Sequence, residues 1–225
     1  MTDPIRLALV GCGRQMGQNL VPFLQRLEGH RIVACVDDVP TLARAMQART
    51  GAAHAVADVR ELDLDGVDAA VIAVPPQPSS MLTRYFVERG ISCFVEKPGG
   101  ESTAVLDALC QAEQQSAAHV QVGFNFRYAE ALQQLHGLTH LTRATPSTAS
   151  IGFFSRHPET PQWGVDSTVE AWIHQNGVHA IDLARWFQPA AVSKIDVHLI
   201  LRDPDHFFAT ILLRHADGSL SVLRV

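Results

Sequence analysis

The run Leu7-Ala8-Leu9-Val10 ends in Gly11-Cys12-Gly13-Arg14-Gln15-Met16-Gly17 and passes directly into a helical pattern, Gln18 to Leu27. No other segment restricts the fold as tightly. A buried strand that stops in Gly-x-Gly-x-x-Gly and restarts as a helix opens a βαβ unit that brings backbone close to a pyrophosphate. In this reading Gly11 makes the tight turn, Gly13 leaves room for the phosphates, and Gly17 lets helix and strand pack closely. The helix start offers N–H groups and a positive dipole end to the anion. A second apolar strand, Arg31 to Val36, closes on Asp37. That acid lies about 20 positions beyond Gly17, where a carboxylate accepts from the adenosine ribose hydroxyls. Arg14, Gln15 and Met16 fall within the same candidate dinucleotide site. A purely structural βα turn is the alternative, but strand, turn, helix and acid agree on the ligand.

The alternation continues. Helices are expected over Thr41–Thr50, Ser79–Arg89 and Thr103–Gln115, and strands over Ala55–Ala57, Val67–Val74, Ile91–Val95 and His119–Phe124. Near-continuous apolar strands between helices mean a parallel sheet covered on both faces, hence a doubly wound Rossmann domain over 1–122. Beyond Gly123 the rhythm changes. A helix is expected from Asn125 to Gly137, a strand over Thr148–Phe154 and a long helix over Val169–Phe187. Three strands follow without helices, Ser193–Arg202, Phe207–His215 and Leu220–Val225, the last two joined by the hairpin signal Ala216-Asp217-Gly218. An α+β domain over 123–225 with a mainly antiparallel open sheet follows. The chain stops inside its last strand. The expectation is an incomplete sheet, with an apolar edge left bare or covered by a partner chain.

With 47% apolar and 18% charged residues there is ample material for a core, and a net charge of −5 argues against nucleic-acid or anionic-membrane partners. No basic leader precedes the first strand, and no window is long and apolar enough to span a bilayer, so a cytoplasmic location is expected. The 11 histidines show neither HxH nor HExxH spacing, and no metal site is expected. Cys12, Cys35, Cys93 and Cys110 form no CxxC pair and read as free thiols. Cys12, within the glycine turn, reads as oxidisable rather than catalytic.

Three further segments carry candidate chemistry. Phe94-Val95-Glu96-Lys97-Pro98 ends a parallel strand at the edge where ligands bind in open α/β sheets. There the Lys97 ammonium can hydrogen-bond a substrate oxygen and stabilise developing charge, although an isolated Lys-Pro reads rather as a solvated strand end. In Trp172-Ile173-His174-Gln175-Asn176-Gly177-Val178-His179-Ala180-Ile181-Asp182, helical spacing puts Trp172, Gln175, His179 and Asp182 on one face. His179 can move a proton near neutral pH, and Asp182 can fix its tautomer. Alone, the stretch reads as a helix burying Trp and His. Asn125 and Arg127, in Gly123-Phe124-Asn125-Phe126-Arg127-Tyr128, suit either substrate contact or an N-cap with a hinge ion pair.

Taken together, these segments resemble the Gfo/Idh/MocA family from residue 5 to about 190. Val71-Ile72-Ala73-Val74-Pro75-Pro76, Glu88-Arg89-Gly90, Phe94-Val95-Glu96-Lys97-Pro98, Asn125-Phe126-Arg127-Tyr128 and Gly177-Val178-His179-Ala180-Ile181-Asp182-Leu183 fall in the family's order and spacing. The resemblance implies that Lys97 is the active-site lysine and His179 the catalytic histidine, with Asp182 as its acidic neighbour. Gly11 to Gly17 and Asp37 would hold the cofactor, with Pro75 and Glu96 on the nicotinamide side. Substrates would be sugars, sugar derivatives or cyclitols, and the C-terminal sheet would form a homo-oligomer. Asp37 favours NAD over NADP, since a carboxylate there repels a 2′-phosphate.

Three departures qualify the resemblance. Gln175 stands where many members carry Asp, four positions before the histidine. Ser79 stands where many carry His, and the C-terminal part is short. An NAD(P)-dependent oxidoreductase acting on a secondary alcohol is the leading reading. The alternatives are a non-catalytic dinucleotide-binding regulator, or redox-assisted imine reduction or glycoside cleavage.

Overall fold

The computed structural model describes residues 3–142, 146–155, 160, 162–163, 165–203 and 206–225. Its contacts divide the chain into two compact units, Met1–Gly123 and Phe124–Val225.

The first unit is a six-stranded parallel sheet in the order β3-β2-β1-β4-β5-β6. The strands are β1 (Ile5–Val10), β2 (His30–Val36), β3 (His54–Val56), β4 (Ala69–Ile72), β5 (Ser92–Val95) and β6 (Val120–Val122). Helix α1 covers 14–24, followed by α2 (Pro40–Thr50), α3 (Pro76–Val87) and α4 (Thr103–Gln114). The strand order reverses between β1 and β4, which makes the carboxyl end of that pair the switch point where ligands bind in open sheets. The two faces of the sheet bury separate clusters. Val10, Val36, Ile72, Phe86 and Val95 pack on one side, and Leu9, Met16, Val21, Cys35 and Met46 on the other. Such two-sided burial is what near-continuous apolar strands require. Arg6 pins the register of β1 and β4. Its backbone N–H and guanidinium both donate to Asp68, at 2.7 Å and 2.8–3.0 Å.

Helix α1 ends at Leu24 rather than Leu27 and widens to π-type over Met16–Leu20. Pro22 is the physical reason for the widening. It lacks the N–H that would bond the carbonyl of Gln18, and its ring crowds that turn. Helix α2 closes at Gly51, with φ +74°, a left-handed position that glycine adopts without strain. Helix α3 begins at Pro76, earlier than the expected Ser79, because a proline at the first helical position loses no needed donor.

The second unit contains a short 3-10 turn, Asn125–Tyr128, then α5 (Glu130–Thr142), β7 (Thr148–Gly152), α6 (Thr168–Trp172), α7 (Val178–Phe187), β8 (Val192–Asp203), β9 (His206–His215) and β10 (Leu220–Arg224). Its sheet runs β7-β10-β9-β8, with β8, β9 and β10 antiparallel and β7 parallel to β10. The hairpin at 216–218 turns through Gly218, with φ +84°. The last strand is not an edge. β10 lies between β7 and β9, and among the described residues the sheet's edges are β7 and β8. His215 locks this end of the sheet. Its Nδ1 meets the Ala190 carbonyl at 3.0 Å and its Nε2 meets Ser221 Oγ at 2.9 Å.

Candidate active site

In the first unit the site grows from the glycine turn. Gly11 has φ +83°, and a Cβ there would sit 2.5 Å from the Ala73 carbonyl oxygen and 2.6 Å from Val74 Cγ1. Only glycine fits, because the backbone leaving β1 passes hard against the backbone leaving β4. At Gly13 a Cβ would meet nothing within 4 Å, so the second glycine faces open space, as a phosphate cradle requires. Gly17 differs from expectation. Its nearest neighbours are Arg49 Nη1 at 3.5 Å and Met46 Cε at 3.6 Å, on α2 rather than the strand, at ordinary contact distance. Arg49 donates to the Gly17 carbonyl at 2.6 Å. The fold therefore packs a long side chain of α2 where the sequence suggested a close helix–strand contact.

Asp37, the residue after β2, has both carboxylate oxygens engaged. The Cys12 N–H donates to Oδ2 at 2.7 Å and the Val39 N–H to Oδ1 at 2.9 Å. The acid thus clamps the glycine turn and is fixed beside it. Arg14 and Gln15 are exposed, while Met16 is fully buried, so its side chain belongs to the core and only its backbone remains for a ligand. Gln15 donates to Glu96 Oε1 at 2.9 Å and accepts from Asn19 at 2.6 Å. This tie joins the glycine turn to the end of β5. Pro75 is exposed just before α3. Lys97 follows Glu96, and the Lys97–Pro98 bond is cis. Burial pushes the Lys97 ammonium below its ordinary pKa, and the Glu96 charge opposes that shift.

Open space at Gly13, the fixed carboxylate of Asp37 and the start of α1 together suit a dinucleotide. Gly13 and the first turn of α1 would hold its pyrophosphate, and Asp37 its ribose.

In the second unit, α6 and α7 form one continuous helical run, interrupted by a π-type stretch, Ile173–Gly177. That stretch corrects the even α-spacing expected across Trp172, Gln175, His179 and Asp182, because a wider turn shifts the phase of everything before it. Trp172, His179 and Asp182 are buried, and Gln175 is half-buried. Gly177 lies against the Trp172 ring, which sits 3.1 Å from where a Cβ would be. The His179 imidazole is boxed by aromatic rings, Phe126 at 4.8 Å, Phe124 at 6.1 Å and Phe153 at 6.1 Å between centroids. None of these three was a candidate from sequence. Phe124 and Phe126 flank the quoted Asn125 and Arg127, and their one-residue spacing was the available signal.

Asp182 is committed elsewhere than the sequence suggested. Arg127 Nε and Nη2 donate to its two oxygens at 2.8 and 2.5 Å. Asp182 pushes the Arg127 guanidinium pKa upward. Arg127 is thus an ion-pair partner within the second unit, the structural alternative to substrate contact. Asn125 is exposed on the 3-10 turn.

Residues 5–124 match the sequence profile of an oxidoreductase family with an NAD-binding Rossmann fold, GFO_IDH_MocA. An inositol 2-dehydrogenase of Arthrobacter sp. (strain FB24) is 29% identical over 203 residues, which is 88% of this chain and 58% of that protein. The chain thus spans a little more than half the length of the curated relatives it matches. A dehydrogenase from Chromobacterium violaceum has a crystal structure that superposes with a TM-score of 0.90 at 27% identity, covering 99% of this chain and 66% of that one. GenD2 from gentamicin A biosynthesis, solved in complex with NAD, superposes with a TM-score of 0.84 at 23% identity over 100% of this chain and 66% of that one, a likeness of fold.

Proposed function

The chain belongs to the Gfo/Idh/MocA family of oxidoreductases with an NAD-binding Rossmann fold, and from that premise we propose that it oxidises a secondary alcohol of a cyclitol or sugar-like substrate, with NAD as the preferred cofactor. The single observation that carries the cofactor half is the glycine turn, closed at Gly11, open at Gly13 and clamped by Asp37. Bound nicotinamide would supply the hydride acceptor. Lys97 would donate a hydrogen bond to the reacting oxygen and stabilise charge there. His179 would take the hydroxyl proton, with its ring orientation set by Phe126 and Phe153. The inositol 2-dehydrogenases among its relatives support the substrate class. Asp182, through its pair with Arg127, acts in this reading as a positioning residue for the helix that carries His179.

The test is a cofactor-reduction screen over inositols, aldoses and sugar phosphates, with NADH and NADPH binding measured by calorimetry. NADH formation with a cyclitol or sugar, lost in Lys97→Met and His179→Asn variants that still bind NADH, is the expected result. NADH binding without turnover on any of them would instead favour a non-catalytic regulator, a reading supported by Gln175 at the position where the family often has a carboxylate. Tighter binding of NADPH would overturn the cofactor preference. We also propose self-association through the second unit's sheet. Ile195, Val197, Leu199 and Leu201, on one face of edge strand β8, are 49–60% exposed, and a second copy is the proposed cover.

A further inference from the structure

We propose that Cys12 and Cys35 form a reversible thiol-modification site, in which an intramolecular disulfide between them closes the phosphate turn to dinucleotide. This rests on the dinucleotide reading given above. Cys12 is the residue between the two glycines of the turn, and Cys35 lies two residues before Asp37 on β2. Both side chains belong to one buried cluster beneath the turn, with exposures of 5% and 0%. Backbone pairing brings their segments together. The Gly11 N–H donates to the Val36 carbonyl at 2.9 Å, and the Cys12 thiol donates to the same carbonyl at 3.5 Å. Val36 is the immediate neighbour of Cys35. Side-chain alternation turns Val36 to the opposite face of the sheet and leaves Cys35 on the Cys12 side.

The two thiols also bear on each other chemically. The Cys12 thiol close by lowers the Cys35 thiol below its ordinary value, while the same proximity, with burial, raises Cys12. Cys35 is therefore the more acidic thiol of the pair, and both lie buried beneath the turn. The other two cysteines lack such a partner arrangement. Cys93 is buried, with its thiol pushed up to about 12, and Cys110 is exposed on α4.

The step balances with a diazene oxidant such as diamide. One thiol adds across the N=N bond, the second sulfur displaces the nitrogen, and an S–S bond forms. Both thiol protons and two electrons leave on the resulting hydrazine. A disulfide holds its sulfurs about 2.05 Å apart, far inside thiol contact distance. Cys12 must then move toward β2. Gly11 cannot yield, because it already lies against the Ala73 carbonyl, so the displacement falls on Gly13 and on the Cys12 N–H bond to Asp37.

The experiment uses a Cys110→Ser background, in which only buried thiols remain. Protein treated with diamide is digested without reduction and mapped by mass spectrometry, and NADH affinity is measured before oxidation, after it and after dithiothreitol. The expected result is a linked Cys12–Cys35 peptide pair and NADH binding at least about tenfold weaker, restored by the reductant. Cys12→Ala and Cys35→Ala, two independent variants, should each bind NADH equally before and after diamide. Absence of the linked pair, or an unchanged NADH affinity in linked protein, overturns the proposal. Failure of the reduced protein to bind NADH at all is a different outcome, which overturns the dinucleotide reading and the switch with it.

Discussion

At the level of single residues, the three glycines of one motif have three different physical jobs. Gly11→Ala drives a Cβ into the backbone of Ala73 at a positive φ and should prevent stable folding of the first unit, seen as loss of its cooperative melt. Gly13→Ala meets open space. It should leave the melting temperature within a degree or two of wild type and weaken NADH binding about 10-fold or more, as calorimetry would show. Gly17→Ala, with only ordinary contacts to Met46 and Arg49, should change neither by much. The Arg127–Asp182 pair offers a second test. Removing the arginine leaves a carboxylate that is 7% exposed without its partner. Arg127→Ala should cost about 3 kcal/mol in urea denaturation, at the low end for a broken buried pair because the Arg127 side chain is partly solvated. The double variant Arg127→Met/Asp182→Leu should recover most of that loss.

Lys97 supplies the pH dependence. Its lowered pKa means that its proton is lost, as pH rises, earlier than from an ordinary lysine at 10.5. If the ammonium is the donor to substrate, kcat/KM is full below the depressed pKa and falls as pH rises through it. The proposed dehydrogenase should thus show a basic limb below the ordinary lysine value. Lys97→Arg should move that limb out of range while lowering kcat, and a limb unmoved by this change would assign it to another group.

Secondary-structure elements show where local rules give way to packing. The helical run 168–187 widens over Ile173–Gly177, and the Trp172 ring lies against Gly177. Trp172 is held from other sides as well, by a bond from its Nε1 to Ser155 Oγ at 2.9 Å and by edge contact with Phe207. It has little room to retreat. Gly177→Ala should therefore destabilise the second unit by about 1–2 kcal/mol despite alanine's better helix propensity. Gly137, in α5, is the control. A Cβ there meets nothing within 4 Å, and Gly137→Ala should stabilise by about 0.5–1 kcal/mol. Both follow from thermal or urea melts of the single variants.

For the molecule as a whole, the exposed aliphatic face of β8 bears on assembly. Val197→Lys with Leu199→Lys should shift any oligomer to monomer in sedimentation, without disturbing far-UV circular dichroism. An assembly that persists unchanged would remove β8 from the interface.

Most of the first unit was legible from its residues. Strand apolarity, helix stops such as Gly51 and the glycine turn are local signals, governed by backbone sterics and by burial on both faces of a parallel sheet. Gly11, Gly13 and Asp37 could be placed for the same reason, since a βα turn allows few alternatives. The partners of Asp182 and His179 were not legible. A helix face gives direction but not identity, and Arg127 reaches Asp182 across 55 positions of sequence. The π-type turns were also hidden, because they express a compromise between Pro22 or Trp172 and the layer beneath.

By itself, the sequence determined the doubly wound sheet and the glycine turn that leaves its first strand. Only the tertiary structure decided which side chain pairs with Asp182, which aromatic rings enclose the histidine and which strands become edges. Those outcomes depend on contacts between distant segments, and no local periodicity encodes them.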